Sequence, residues 1–147
     1  LKQAFWSDAA RVSLGLCLIH INQRTKGLFE LRKIAYIDKP NEHSILALAF
    51  LIEFMREDKA SDVEIKRVVD HRIQALHRVL EGDEGDDHDD DEKKYFFQAQ
   101  LGLLLMENKR EQKGLKWLES AEKGGPKALG EDLFQEVIEA IEDFKKN

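Results

Sequence analysis

The sequence predicts an all-α chain, an α-solenoid of antiparallel helix pairs with a C-terminal capping helix. Three observations lead there. The string RVSLGLCLIHINQRTKGLFELRK (residues 11–33) returns without a gap as QAQLGLLLMENKREQKGLKWLES (residues 98–120). Such self-similarity is a signature of repeat architectures. Apolar residues recur at helical spacing through most of the chain, and no stretch sustains the period-2 alternation of a strand. Only two prolines occur in 147 residues, and neither interrupts an apolar pattern.

Each element follows in order. Helices are expected near 3–22, 25–37, 43–57, 61–80, 93–108, 110–123 and 127–145. Ser61 followed by Glu64 is a capping box and marks a helix start. Within 61–80, Val63, Ile65, Val68, Val69, Ile73, Leu76, Val79 and Leu80 keep helical spacing. Gly124-Gly125-Pro126 ends one helix and opens the next, with proline at a tolerated first-turn position. The pairs Leu14-Gly15, Leu48-Ala49 and Leu101-Gly102 mark the first helix of three successive units. The first step between them is 34 residues, the length of a two-helix repeat, and the second is 53. A mid-helix glycine costs about 1 kcal/mol of helix propensity. Gly15 and Gly102, and twelve residues later Gly27 and Gly114, are sensible where another helix crosses at close range. In the middle unit, Ala75 is the expected counterpart of that second glycine. The whole is read as a single helical-repeat domain, with units at about 1–40, 41–81 and 93–125, an acidic loop at 82–92 and a capping helix at 126–147.

Composition bounds the function. Hydrophobic residues make up 42% and charged residues 35%, the balance of a charge-coated helical protein. The net charge of −6 argues against a nucleic-acid partner, because phosphate binding needs a basic surface. No apolar run reaches the roughly 18 residues of a membrane span, nor does a signal-peptide pattern open the sequence. The single Cys17 precludes an internal disulfide and suits a reducing compartment, so the cytoplasm is the expected location. The chain opens at Leu1 without Met, and we expect it to be cut from something longer.

Candidate chemistry is sparse. Nine of the twelve residues in EGDEGDDHDDDE (81–92) are acidic. Charge at that density repels and buries nothing, so a mobile, solvated loop is expected. A calcium loop counted from Asp87 would need glycine at its sixth position and glutamate at its twelfth. Glu92 and Gln98 stand there instead, and no metal or other cofactor is expected. Phosphate-cradling, dinucleotide and zinc motifs are missing from the sequence. Cys17, among Leu16, Leu18 and Ile19, reads as a packed core thiol rather than a nucleophile. His71 and His77 are six apart and do not share a helix face. His20 near a helix end reads as structural, Glu107 and Glu111 as surface charges, and Trp117 as core. No nucleophile, base and oxyanion site assemble, so this chain is expected to be non-catalytic.

The residues do resemble a family. Ala99, Leu101-Gly102, Gly114, Trp117, Ala121 and the step from Gly125 to Ala128 look like a Sel1-like repeat, a relative of the tetratricopeptide repeat. The order of features along the chain is similar to the C-terminal repeat region of the eukaryotic elongation factor 2 kinases. The matching pieces are Leu14-Gly15-Leu16 with Ile19-His20, Arg24-Thr25-Lys26-Gly27, Ser44 with Ala49 and Phe50, Ala75-Leu76-His77, and Asp83-Glu84-Gly85. The resemblance implies a parent that is an atypical, calmodulin-activated Ser/Thr kinase controlling translation elongation. This region would recruit the substrate, elongation factor 2, to the parent's own kinase domain. The residues alone reach only an α-solenoid interaction module. A stand-alone Sel1-like adaptor, bacterial in origin, remains open, as does a small all-α enzyme built on the carboxylate-rich loop.

The closing helix offers the candidate binding residues. Leu129, Leu133, Phe134, Val137, Ile138, Ile141 and Phe144 form one broad apolar stripe. Leu133, Val137 and Ile141 are expected to cap the core. Phe134 and Phe144, toward the edges of the stripe, together with Lys145 and Lys146, are expected to meet a protein partner, since aromatic rims are common binding anchors.

Overall fold

The computed structural model describes residues 7–82 and 91–146. Among them the chain is helical, with eight helices and no strand: α1 (Asp8–His20), α2 (Arg24–Ala35), α3 (Glu42–Glu57), α4 (Asp62–Glu81), α5 (Asp91–Glu107), α6 (Glu111–Glu122), α7 (Gly125–Leu129) and α8 (Glu131–Lys146). The chain divides into two compact units, Leu1–Ala75 and Leu76–Asn147.

In the first unit, Ser7 caps α1, its hydroxyl accepting a hydrogen bond from the Ala10 amide at 3.1 Å. The helix ends where Asn22 takes a left-handed conformation (φ 68°). The Gln23 amide then reaches back to the Leu18 carbonyl at 2.8 Å, satisfying a carbonyl that has no partner within the helix. α2 therefore leaves at once and returns along α1. Gly15 lies against Leu31, and Gly27 against both Ile19 and the Gly15 carbonyl, so the two helices run antiparallel. α3 packs on α2 and, less extensively, on α1. Its capping box was not foreseen: Asn41 accepts from the Ser44 amide while the Ser44 hydroxyl accepts from the Asn41 amide. The Asn41 side chain also donates to Asp8 at 2.8 Å, tying α3 to the start of α1. Arg24 joins the other ends, reaching Asp58 at 2.9 Å and the Phe54 carbonyl at 3.3 Å. Ser61 caps α4 by accepting from the Glu64 amide at 3.2 Å, as its sequence signature requires.

The second unit repeats the hairpin. Lys109 is left-handed (φ 64°), and the Arg110 amide reaches the Leu105 carbonyl at 2.9 Å. Gly102 lies against Leu118, and Gly114 against Met106 and the Gly102 carbonyl. α8 closes this unit on α6 and α7. Its core gathers Ala99, Leu118, Ala121, Leu129, Val137 and Ile141.

Several expectations need correction. The closing helix is two helices, because Gly130 (φ 79°, ψ 157°) leaves helical space between α7 and α8. Leu129 is buried, but on α7 rather than on the stripe of α8. The pair expected in the middle unit, Leu48-Ala49, does not keep the spacing of the other two to a left-handed turn residue and stands three residues off it. Gly15 and Gly102 stand seven residues before the left-handed residue of their turns, and the residue seven before left-handed Lys59 is Ile52, not Ala49. By the same count the place of Gly27 and Gly114 is taken by exposed Glu64, whereas Ala75 is buried three turns further along α4. Cys17 is exposed, because α1 turns Val12 and Gly15 inward and leaves position 17 outside. α5 begins at Asp91, two residues early, and Glu92 suits the positive end of a helix dipole. The acidic loop expected at 82–92 falls mainly on residues 83–90, which lie outside the described residues, as does the start of the helix expected from residue 3.

Candidate functional site

The second hairpin carries an open groove of about 470 Å³, lined by His77, Leu105, Lys113, Lys116, Trp117 and Ser120. All six belong to the second unit. Their arrangement follows from helical geometry. α6 buries Gly114, Leu118 and Ala121, the stripe that meets α5 and α8. Lys113, Lys116, Trp117 and Ser120 fall at i, i+3, i+4 and i+7, so they share the neighbouring face. Trp117 stands one residue off the buried stripe. It is half-buried and forms a wall, rather than the core residue its sequence context suggested. The His77 ring, from the last turns of α4, meets the Trp117 indole edge-on with centroids 5.8 Å apart. Leu105 of α5 is almost fully buried and provides an apolar floor.

Electrostatically the groove is basic at its margin. Lys113 and Lys116 are exposed, and among the described residues neither is paired with a carboxylate. An apolar, aromatic-walled cleft with two ammonium groups beside it can take a large apolar side chain flanked by negative charge. Among the described residues no cluster of three His, Cys, Asp or Glu side chains is arranged to hold a metal. No helix of the described residues is long and apolar enough to cross a membrane.

The residues picked out on the closing helix are only partly brought together. Phe134 is half-buried and packs against the core cluster with Leu133. Phe144 is half-buried, and Lys145 and Lys146 are exposed beside it in the last turn of α8. Ten residues of helix separate the two phenylalanines by about 15 Å along the axis. Phe144, Lys145 and Lys146 form one local edge; Phe134 belongs to another place. The two lysines also complement the negative end of the helix dipole.

Sequence reasoning passed over the groove. A signal for it was present: a tryptophan at i+4 from one lysine and next to another, on the polar side of an amphipathic helix. What the sequence did not hold was the approach of His77, which lies forty residues away along the chain.

The fold and the groove thus define a class: helical hairpins locked by paired glycines, the second bearing an aromatic-walled cleft. No family model, curated protein or solved structure matches the chain.

Proposed function

We propose that this chain is a non-catalytic protein-interaction domain that recruits a protein substrate to an enzyme, in the manner of the C-terminal repeat region of the elongation factor 2 kinases. The observation that carries this reading is the duplicated hairpin. Gly15/Gly27 and Gly102/Gly114 make the same contacts in two places, and the second copy opens onto a groove walled by Trp117. Helix pairs of this kind serve as rigid platforms, and half-exposed aromatic residues are the usual anchors of protein interfaces. Recruitment needs no catalytic group in the platform, because tethering raises the effective concentration of the acceptor segment. The resemblance in the order of features supplies the partners: elongation factor 2 and the parent's kinase domain, in the cytoplasm.

The test is a binding titration of the purified chain against elongation factor 2, followed by the same titration against the kinase domain. Saturable binding of elongation factor 2 is expected. A folded chain that leaves it unbound would sink the recruitment reading and favour a stand-alone Sel1-like adaptor.

A further inference from the structure

We infer that the groove on α6 is a docking site for an acidic peptide segment that inserts one large apolar side chain against Trp117. The inference deepens the recruitment reading by naming the chemistry of the segment recruited.

The apolar part of the recognition is set by Leu105, Trp117 and His77. The indole and imidazole are held edge-on at 5.8 Å, and both line the groove together with Leu105. A volume of about 470 Å³ lies within the roughly 300–1,000 Å³ of typical ligand clefts and accommodates a phenylalanine or leucine with its neighbours. The polar part is set by charge. Lys113 and Lys116 lie one turn apart on the same face, both exposed and without a carboxylate partner among the described residues. Two other lysines are paired, Lys33 with Glu30 at 3.3 Å and Lys127 with Glu92 at 3.9 Å. A pair left free beside an apolar cleft is complementary to a guest with carboxylates on either side of its anchor. A basic guest would be repelled, and a neutral one would leave the ammonium groups unused. The net charge of −6 repels acidic segments from the molecule at large, so the basic margin confines them to this face.

The probe is a fluorescein-labelled peptide with Phe and Leu anchors flanked by Glu and Asp. Controls replace the acidic residues by Lys or the anchors by Ala. Binding is read by anisotropy and by Trp117 emission in a Trp6→Phe background, which leaves a single tryptophan. The acidic peptide is expected to shift that emission and to bind at least about tenfold more tightly than either control. Raising the ionic strength should weaken it, because exposed charges are screened. Lys113→Glu with Lys116→Glu should weaken it by about tenfold with an unchanged circular dichroism spectrum, and Trp117→Ala by about 30-fold or more. Equal binding of the basic peptide, or an acidic peptide indifferent to the lysine reversals, overturns the inference. So does a change in Trp117 emission that follows chain concentration alone, since that would make a second copy the occupant. If elongation factor 2 binds while the acidic peptide does not, the groove assignment fails and recruitment stands. If the peptide binds while elongation factor 2 does not, the groove stands and the recruited protein is a different one.

Discussion

The carbonyl oxygen of Gly15 lies so close to Gly27 that a Cβ on residue 27 would come within 2.5 Å of it. The same relationship recurs between Gly102 and Gly114, at 2.8 Å. Each pair lets two helix backbones meet where no side chain fits, and each therefore fixes the height at which its hairpin crosses.

Gly27→Ala should destabilise the protein by about 2 kcal/mol. Helix propensity alone predicts the opposite sign, a gain of about 1 kcal/mol. The clash wins because the neighbouring atoms include backbone, the Gly15 carbonyl and the Ile19 amide, which cannot step aside. Gly102→Ala should cost less, since its nearest contact is the Leu118 side chain. Urea denaturation of both variants checks the order. A stabilised Gly27→Ala would mean that the helices do not approach this closely.

Gly130 and Lys109 make an opposite pair. Gly130→Ala should destabilise by about 1–3 kcal/mol, because φ 79° with ψ 157° is a region that side chains rarely enter. The cost is purely conformational, since nothing lies within 4 Å of the added Cβ. Lys109→Gly should be neutral or stabilising by up to about 1 kcal/mol, as it puts the preferred residue at a left-handed helix end. The melting temperature should fall for Gly130→Ala and hold or rise for Lys109→Gly; a fall in both would contradict the backbone argument.

Ile141→Ala should cost about 2–5 kcal/mol, because Ile141 is 5% exposed within the core of the second unit. Phe144→Ala should cost clearly less, since Phe144 is half-buried and stands outside that cluster. If Phe144 anchors a partner, its loss should weaken capture of that partner with little change in melting. Equal melting losses for the two variants would make Phe144 a core residue.

Tyr36 should lend the protein an alkaline sensitivity. Tyr36 is 45% exposed, and the covered part of its ring raises its pKa above the ordinary value near 10, with Arg32 acting in the opposite sense. The folded chain therefore holds the phenol proton longer than the unfolded one. Its contribution to stability is whole below pH 10 and is lost as pH rises from there through the raised pKa. In a Tyr95→Phe background, phenolate absorbance should report Tyr36 alone, titrating above 10. Tyr36→Phe should flatten the fall of melting temperature over the same range. A midpoint at or below 10 would show that the ring is solvated.

Helix content, both glycine-locked hairpins and the capped start of α4 were legible in the amino-acid order. Each depends on residues within about one hairpin of one another, where periodicity and turn chemistry act directly. Repeated Leu-Gly and Lys-Gly-Leu strings could be matched because the same local contact was needed twice. The middle unit was misregistered because Leu48-Ala49 mimics a glycine pair in composition, whereas the turn at Lys59 sets the true count. Cys17 and Trp117 were assigned to the core because local sequence reports which residues are apolar, not which way the helix turns. That rotation is decided by tertiary packing: Val12 and Gly15 claim the inner face of α1, and Gly114, Leu118 and Ala121 that of α6. The groove belongs to the same category. Lys113, Lys116 and Trp117 share a face by helical spacing alone, but only the folded chain brings His77 and Leu105 to them, because contacts between distant segments arise from the shared burial of apolar surface.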